Sequence, residues 1–204
     1  DAELKQLFSS SPKVVLAYKL IVDKEKLLPE GFLYPLAKQK GYANFVGEEG
    51  GSIRYFAASM EKKNEKFESF SSAVAQVAFP EKYQKLIERN KITEQVNFTR
   101  TPDKYIVIDG MEYLENVNAA VSLNNKIVLI GFVANNVNSI EDKHFTPLNK
   151  KSVGKMTPDM EGIFIHANIL SMIRDVDYIK KTPVWINWLI ASLLCWIHMS
   201  LFIR

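Results

Sequence analysis

In GIFIHANILSMI, residues 162–173, a histidine and an asparagine stand inside an otherwise almost wholly apolar run. The chain has only three histidines and one cysteine, so imidazole or thiol chemistry has few places to occur. A second imidazole, His144, lies in DKHFTP, residues 142–147, with Asp142 and Thr146 at alternate positions on either side of it. A carboxylate, an imidazole and a hydroxyl so spaced can converge on a ligand. They can equally pin the loop to the later apolar run, through a hydrogen bond between Asp142 and His166. Asp142, His144 and His166 together contain metal-ligating groups, but without a short ligand spacing they do not form a metal motif. No metal and no cofactor is expected.

If the 162–173 run is a helix, Ile163, His166, Ala167, Leu170 and Ile173 fall on one stripe, and Asn168 is turned roughly 200° from His166. If it opens as a strand, His166 shares a face with Phe164. Both readings put the ring in or beside an apolar face. A core histidine satisfied by a backbone carbonyl or carboxylate is the simpler reading, and ligand contact is the alternative.

Catalytic signatures are lacking. There is no Gly-x-Ser-x-Gly elbow, no Gly-Lys-Ser/Thr phosphate loop and no His-Glu-x-x-His. Glu48 and Glu49 sit beside glycines and read as a solvated turn, while the serines at 9–11 and at 69, 71 and 72 read as helix caps and loops. The net charge of +3 is small, and Lys62, Lys63 and Lys66 are interleaved with glutamates, which argues against nucleic-acid binding. The chain reads as a non-enzyme.

The elements that must position these residues follow from periodicity. AELKQLF has helical spacing, and VVLAYKLIV, after a Ser/Pro break, is a β-branched strand pattern. Residues 24–49, with Pro29, Gly31, Pro35 and Gly41, look like a loop, and SIRYFAASM alternates like a strand. Residues 70–89 read as two helices joined at Pro80, which suits a first helical turn. VNFT and YIVID are short strand candidates. KIVLIGFV, residues 126–133, is the clearest strand, and its unbroken apolar run predicts cover on both faces. The fold class expected is α/β: a mixed sheet, mostly of central strands, with helices packed on it, followed by a transmembrane helix.

That last helix is a different material. From Thr182 to Ile203 there is no formally charged residue. Residues 184–203, at a helical rise of about 1.5 Å each, would reach roughly 30 Å, the thickness of a bilayer's hydrocarbon core. The apolar residues cover every face, and Trp185, Trp188 and Trp196 suit interfaces, although Trp196 lies deep for that role. The division expected is a body of residues 1–180 and a membrane helix of residues 183–203. Cysteine is absent before Cys195, which suits an oxidising compartment. Asp1 at one end and a span stopping at Arg204 suggest a piece of a longer protein.

Taken together, KIVLIG, DKHFTP and GIFIHANIL, running on into an apolar helix, resemble the second family of CHASE domains, the cyclase/histidine-kinase-associated sensory extracellular modules. DAELKQLFSSSPKVVLAYKL, GYANFVGEEGGSIRYF with Arg54 at the arginine position, and FSSAVAQVA are also similar to that family. Glu161 stands where the family usually has proline, and Glu48 and Glu49 where its acidic turn normally carries aspartate. The resemblance implies an extracytoplasmic, periplasmic sensory module of a membrane-bound bacterial receptor, relaying ligand or stress sensing to a cytoplasmic output. The expected partners are a small-molecule or envelope ligand contacting Asp142, His144, Thr146 or His166, membrane lipid along 184–203, and a second copy of the chain. A membrane-anchored envelope binding protein without signalling output is the alternative.

Overall fold

A computed structural model describes residues 2–23, 26–31, 34–47, 51–63, 65–115, 122–134, 139–149 and 157–202. The chain opens with helix α1, Ala2–Ser10, whose end is closed by the Ser9 and Ser10 hydroxyls donating to the Gln6 carbonyl. The β-branched run that follows forms strand β1, Val15–Asp23. Strand β2, Lys26–Glu30, pairs with it antiparallel, and strand β3, Gln39–Tyr42, pairs parallel on its other side. This three-stranded sheet corrects the loop reading of residues 24–49. Tyr18, Leu20, Leu27 and Tyr42 supply the buried contacts that outweigh the Pro and Gly punctuation there.

SIRYFAASM contributes two strands rather than one. Strand β4, Tyr55–Phe56, is followed by β5, Ser59–Lys62, which forms a hairpin with β6, Glu65–Glu68. Ser69 then caps helix α2, Phe70–Ala78, its hydroxyl accepting from the Ser72 amide. Pro80 occupies the first turn of helix α3, Pro80–Glu88, as its fixed φ predicts. Strand β7, Glu94–Gln95, pairs antiparallel with β4, so the VNFT strand expectation moves two residues upstream and shrinks. Helix α4 is Gly110–Glu115. Strands β8, Lys143–His144, and β9, Met160–Glu161, form an antiparallel pair that delivers the chain into helix α5, Gly162–Asp175.

The core is built around α5. Ile165, Ile169 and Ile173 are wholly buried against Ala75, Tyr83 and Leu86 of α2 and α3, and against Ile53 and Val96. Each such side chain contributes about 1.5–3 kcal/mol by leaving water. The molecule is thus a mixed α/β fold of small sheets and helices, with a last apolar helix, α6, Val184–Phe202.

Residues 126–133 depart from expectation: they join no ladder. Leu129 and Val133 pack on the core, and Gly131 lies against Ile163 of α5. Val128, Ile130 and Phe132 alternate with them and are exposed, Ile130 by 95%. This alternation has a strand's period of two from Val128 to Val133, while Ile127 is also exposed, so among the described residues the apolar run has one covered face instead of two. YIVID likewise forms no strand, and Ile106 and Val107 are exposed.

Candidate functional site

His144 and His166 are brought against one aromatic ring, Phe45, with Asp142 beside His144. The His144 ring meets it edge-on at 5.1 Å between centroids, and the His166 ring lies against it at 4.8 Å. Asp142 takes a left-handed backbone, φ 53°, at the turn before β8, and its carbonyl accepts the Gly162 amide at 3.1 Å. The start of α5 is thereby tied to the DKHFTP loop through backbone. The Asp142 carboxylate stands 3.9 Å from His144 Nε2. Across the β8–β9 pair, Lys143 Nζ lies 3.6 Å from Glu161 Oε1, both side chains nearly buried, so Glu161 serves the strand pair and not the helix cap.

His166 takes a different partner from the one its neighbourhood in sequence suggests. Its Nδ1 lies 3.0 Å from the Ser71 hydroxyl of α2, 95 residues away. The backbone of Ala43, whose amide is given to the Tyr18 carbonyl, lies beside the ring and opposes the effect of burial on it. Burial pushes the imidazole down to about 4, and the neighbouring His144 adds to that shift. A neutral, buried ring bonded to Ser71 links α5 to α2.

Asn168 faces the other way, as the 200° rotation requires. It is completely buried, accepts the Arg100 amide at 3.1 Å, and donates to the Arg100 carbonyl at 2.9 Å and the Phe164 carbonyl at 3.0 Å. Arg100 Nη1 adds a 2.7 Å bond to Ser171. Both polar residues of the IHAN segment thus bind α5 to flanking elements.

Thr146 stands apart from the imidazoles. Its amide and hydroxyl both donate to Asp159, at 2.8 and 2.6 Å, and its hydroxyl accepts the Leu148 amide at 3.2 Å. It belongs to the wall of an open depression of about 360 Å3, to which Ser52, Arg54 and Phe145 also contribute. Among the described residues no three His, Cys, Asp or Glu side chains are grouped to hold a metal ion.

A family model described as the CHASE2 domain matches residues 1–202, nearly the whole chain. The chain belongs to the CHASE2 family. CHASE2 domains are a second family of CHASE sensory extracellular domains, found in signalling receptors. No curated protein and no solved structure matches the chain.

Within this CHASE2 domain, α5 is the helix nearest in sequence to the membrane candidate, and its end is unusual. Val176 closes it in the left-handed region, φ 56°. Its amide reaches the Ile173 carbonyl and the Asp177 amide the Met172 carbonyl, the bond pattern that normally places glycine at this position. The connector that follows is held to the CHASE2 body. The Asn97 side-chain amide donates to Asp177 Oδ2 at 3.0 Å, and Tyr178 is buried with the Arg89 guanidinium 4.1 Å over its ring. Arg89 and Lys91 both pair with the buried Glu94 carboxylate. Sequence reasoning missed Ser71, Phe45, Asp159 and this Arg89–Glu94–Tyr178 group. Ser71, Phe45 and Tyr178 act through partners far away in the chain, which no local spacing announces.

Proposed function

We propose that this CHASE2 domain is the extracytoplasmic, periplasmic sensory part of a membrane-bound bacterial receptor, and that α5 relays its state through residues 176–183 to a membrane-spanning α6. The observation that carries this reading is the left-handed Val176 between a fully packed helix and a connector tied down at Asp177 and Tyr178. A β-branched residue held at positive φ costs about 1–2 kcal/mol, and such strain persists where surrounding contacts enforce it. A movement of α5 at Asn168 or His166 is therefore passed on by a stiff joint rather than absorbed by a loose linker. A ligand drives the relay only to the extent that it binds two arrangements of the body unequally. The signalling form is a pair of such chains, since relayed helix motion needs a second helix to move against.

The test uses the intact receptor in cells. With Cys195 replaced by Ala, a cysteine placed at the exposed Glu81 is expected to react with a membrane-impermeant maleimide added outside. Labelling only after permeabilisation would refute the extracytoplasmic placement. Val176→Gly and Tyr178→Ala are expected to shift the receptor's basal output while leaving its membrane content unchanged. An unmoved output in both would leave an anchored binding protein in place of a relay.

A further inference from the structure

Two segments, 51–54 and 145–149, border the open depression of about 360 Å3 beside Thr146, and both are fixed by backbone bonds. The Ile53 amide donates to the Phe145 carbonyl at 2.8 Å, the Asn149 amide to the Thr146 carbonyl at 3.1 Å, and the Val96 amide to the Arg54 carbonyl at 2.9 Å. The volume suits a small molecule, and the walls are formed without one. Arg54 lines the depression, is exposed, and pairs with no carboxylate among the described residues. The Ser52 hydroxyl is buried and has no hydrogen-bond partner among the described residues, so a turn about its Cα–Cβ bond toward a bound acceptor would break no bond and would relieve a costly state. Phe145 and Pro147 supply apolar wall. The Asp159 carboxylate, bonded to this wall through Thr146 at both oxygens, forms no ion pair with Arg54 among the described residues.

We propose that this depression binds a small oxyanion with a short apolar body, a carboxylate or a phosphate monoester. Arg54 clamps the anionic group in the bidentate manner of guanidinium, Ser52 donates to it, and the body lies against Phe145 and Pro147. The sensory reading gives this site its purpose, but the binding itself does not depend on that reading.

Thermal unfolding of the full chain in detergent, titrated with butyrate, butyl phosphate, inorganic phosphate and butylammonium, tests the assignment. Butyrate or butyl phosphate is expected to raise the melting temperature with concentration, butylammonium to leave it unchanged, and inorganic phosphate to act more weakly than butyl phosphate. Which of the two butyl anions acts more strongly names the head group. Arg54→Gln should abolish the response, Arg54→Lys restore part of it, and Ser52→Ala weaken binding about tenfold. No response to either butyl anion, an equal response to butylammonium, or an Arg54→Gln chain that responds like the parent would overturn the site. Equal action of inorganic and butyl phosphate would overturn the apolar contact. Receptor output is not read, so failure here leaves the sensory topology standing, and failure of that topology leaves this binding intact.

Discussion

His166 shows how one buried ring sets a pH limit on the whole body. Its folded pKa of about 4 lies below the ordinary value of 6.5, so as pH falls the unfolded chain takes up a proton first. Its contribution is complete above about pH 6.5 and is lost progressively down to about pH 4, amounting to about 3 kcal/mol. Urea unfolding across this range should show that loss. His166→Gln, which cannot titrate, should flatten the dependence while lowering neutral stability by about 1–3 kcal/mol. An unchanged pH slope in the variant would mean that another group carries it. Asn168 makes a sharper claim on stability than on pH. Asn168→Ala removes both partners of the Arg100 backbone and should cost about 2–3 kcal/mol, since it strands buried donor and acceptor together. A cost near zero in denaturant titration would show that the 97–101 segment finds other bonds.

Among the elements, the closest approach is between β3 and the start of α2. A Cβ on Gly41 would stand 2.6 Å from the backbone of Phe70 and Ser69, and backbone there cannot retreat without breaking the α2 cap and the Tyr42–Ser69 bridge. Gly41→Ala should therefore destabilise by about 3 kcal/mol, near the upper end for overpacking. Gly131 offers the contrast. Its added Cβ would meet the Cδ1 end of Ile163 at 2.8 Å, a side chain that can turn aside, so Gly131→Ala should cost less than about 1 kcal/mol. Equal effects of the two in chemical denaturation would contradict this account of where the elements are rigid. Among the described residues the strands run from two to nine residues, and the helices supply most of the core.

At the scale of the whole molecule, α6 is long and apolar enough to cross a membrane and is not buried by any of the described residues. Its large side chains, Trp185, Trp188 and Leu194 among them, are exposed on every side, a condition stable in lipid and costly in water. The chain is expected to sediment with membranes through alkaline carbonate washing and to be released by detergent. Leu193→Arg, at mid-helix, should disfavour insertion by about 2.5–3.5 kcal/mol and move a measurable share of the chain to the soluble fraction. Recovery of the parent chain in that fraction would place α6 elsewhere.

The amino-acid sequence alone determined the features that depend on neighbours in the chain. The apolar length of α6, the break at Pro80, the helix of α1 and the strand of β1 each follow from periodicity and backbone chemistry within a few residues. The family resemblance, carried by KIVLIG, DKHFTP and GIFIHANIL, was legible for the same reason. The tertiary structure alone decided which groups share a space. Asp142 and His166 were readable as bonding partners, yet the ring went to Ser71, while Asp142 held α5 through its carbonyl. Thr146 was readable as a companion of His144 but turned to Asp159 and the Arg54 depression. Partner choice depends on packing between segments tens of residues apart, where loop-closure entropy and burial, not local spacing, set which contact forms.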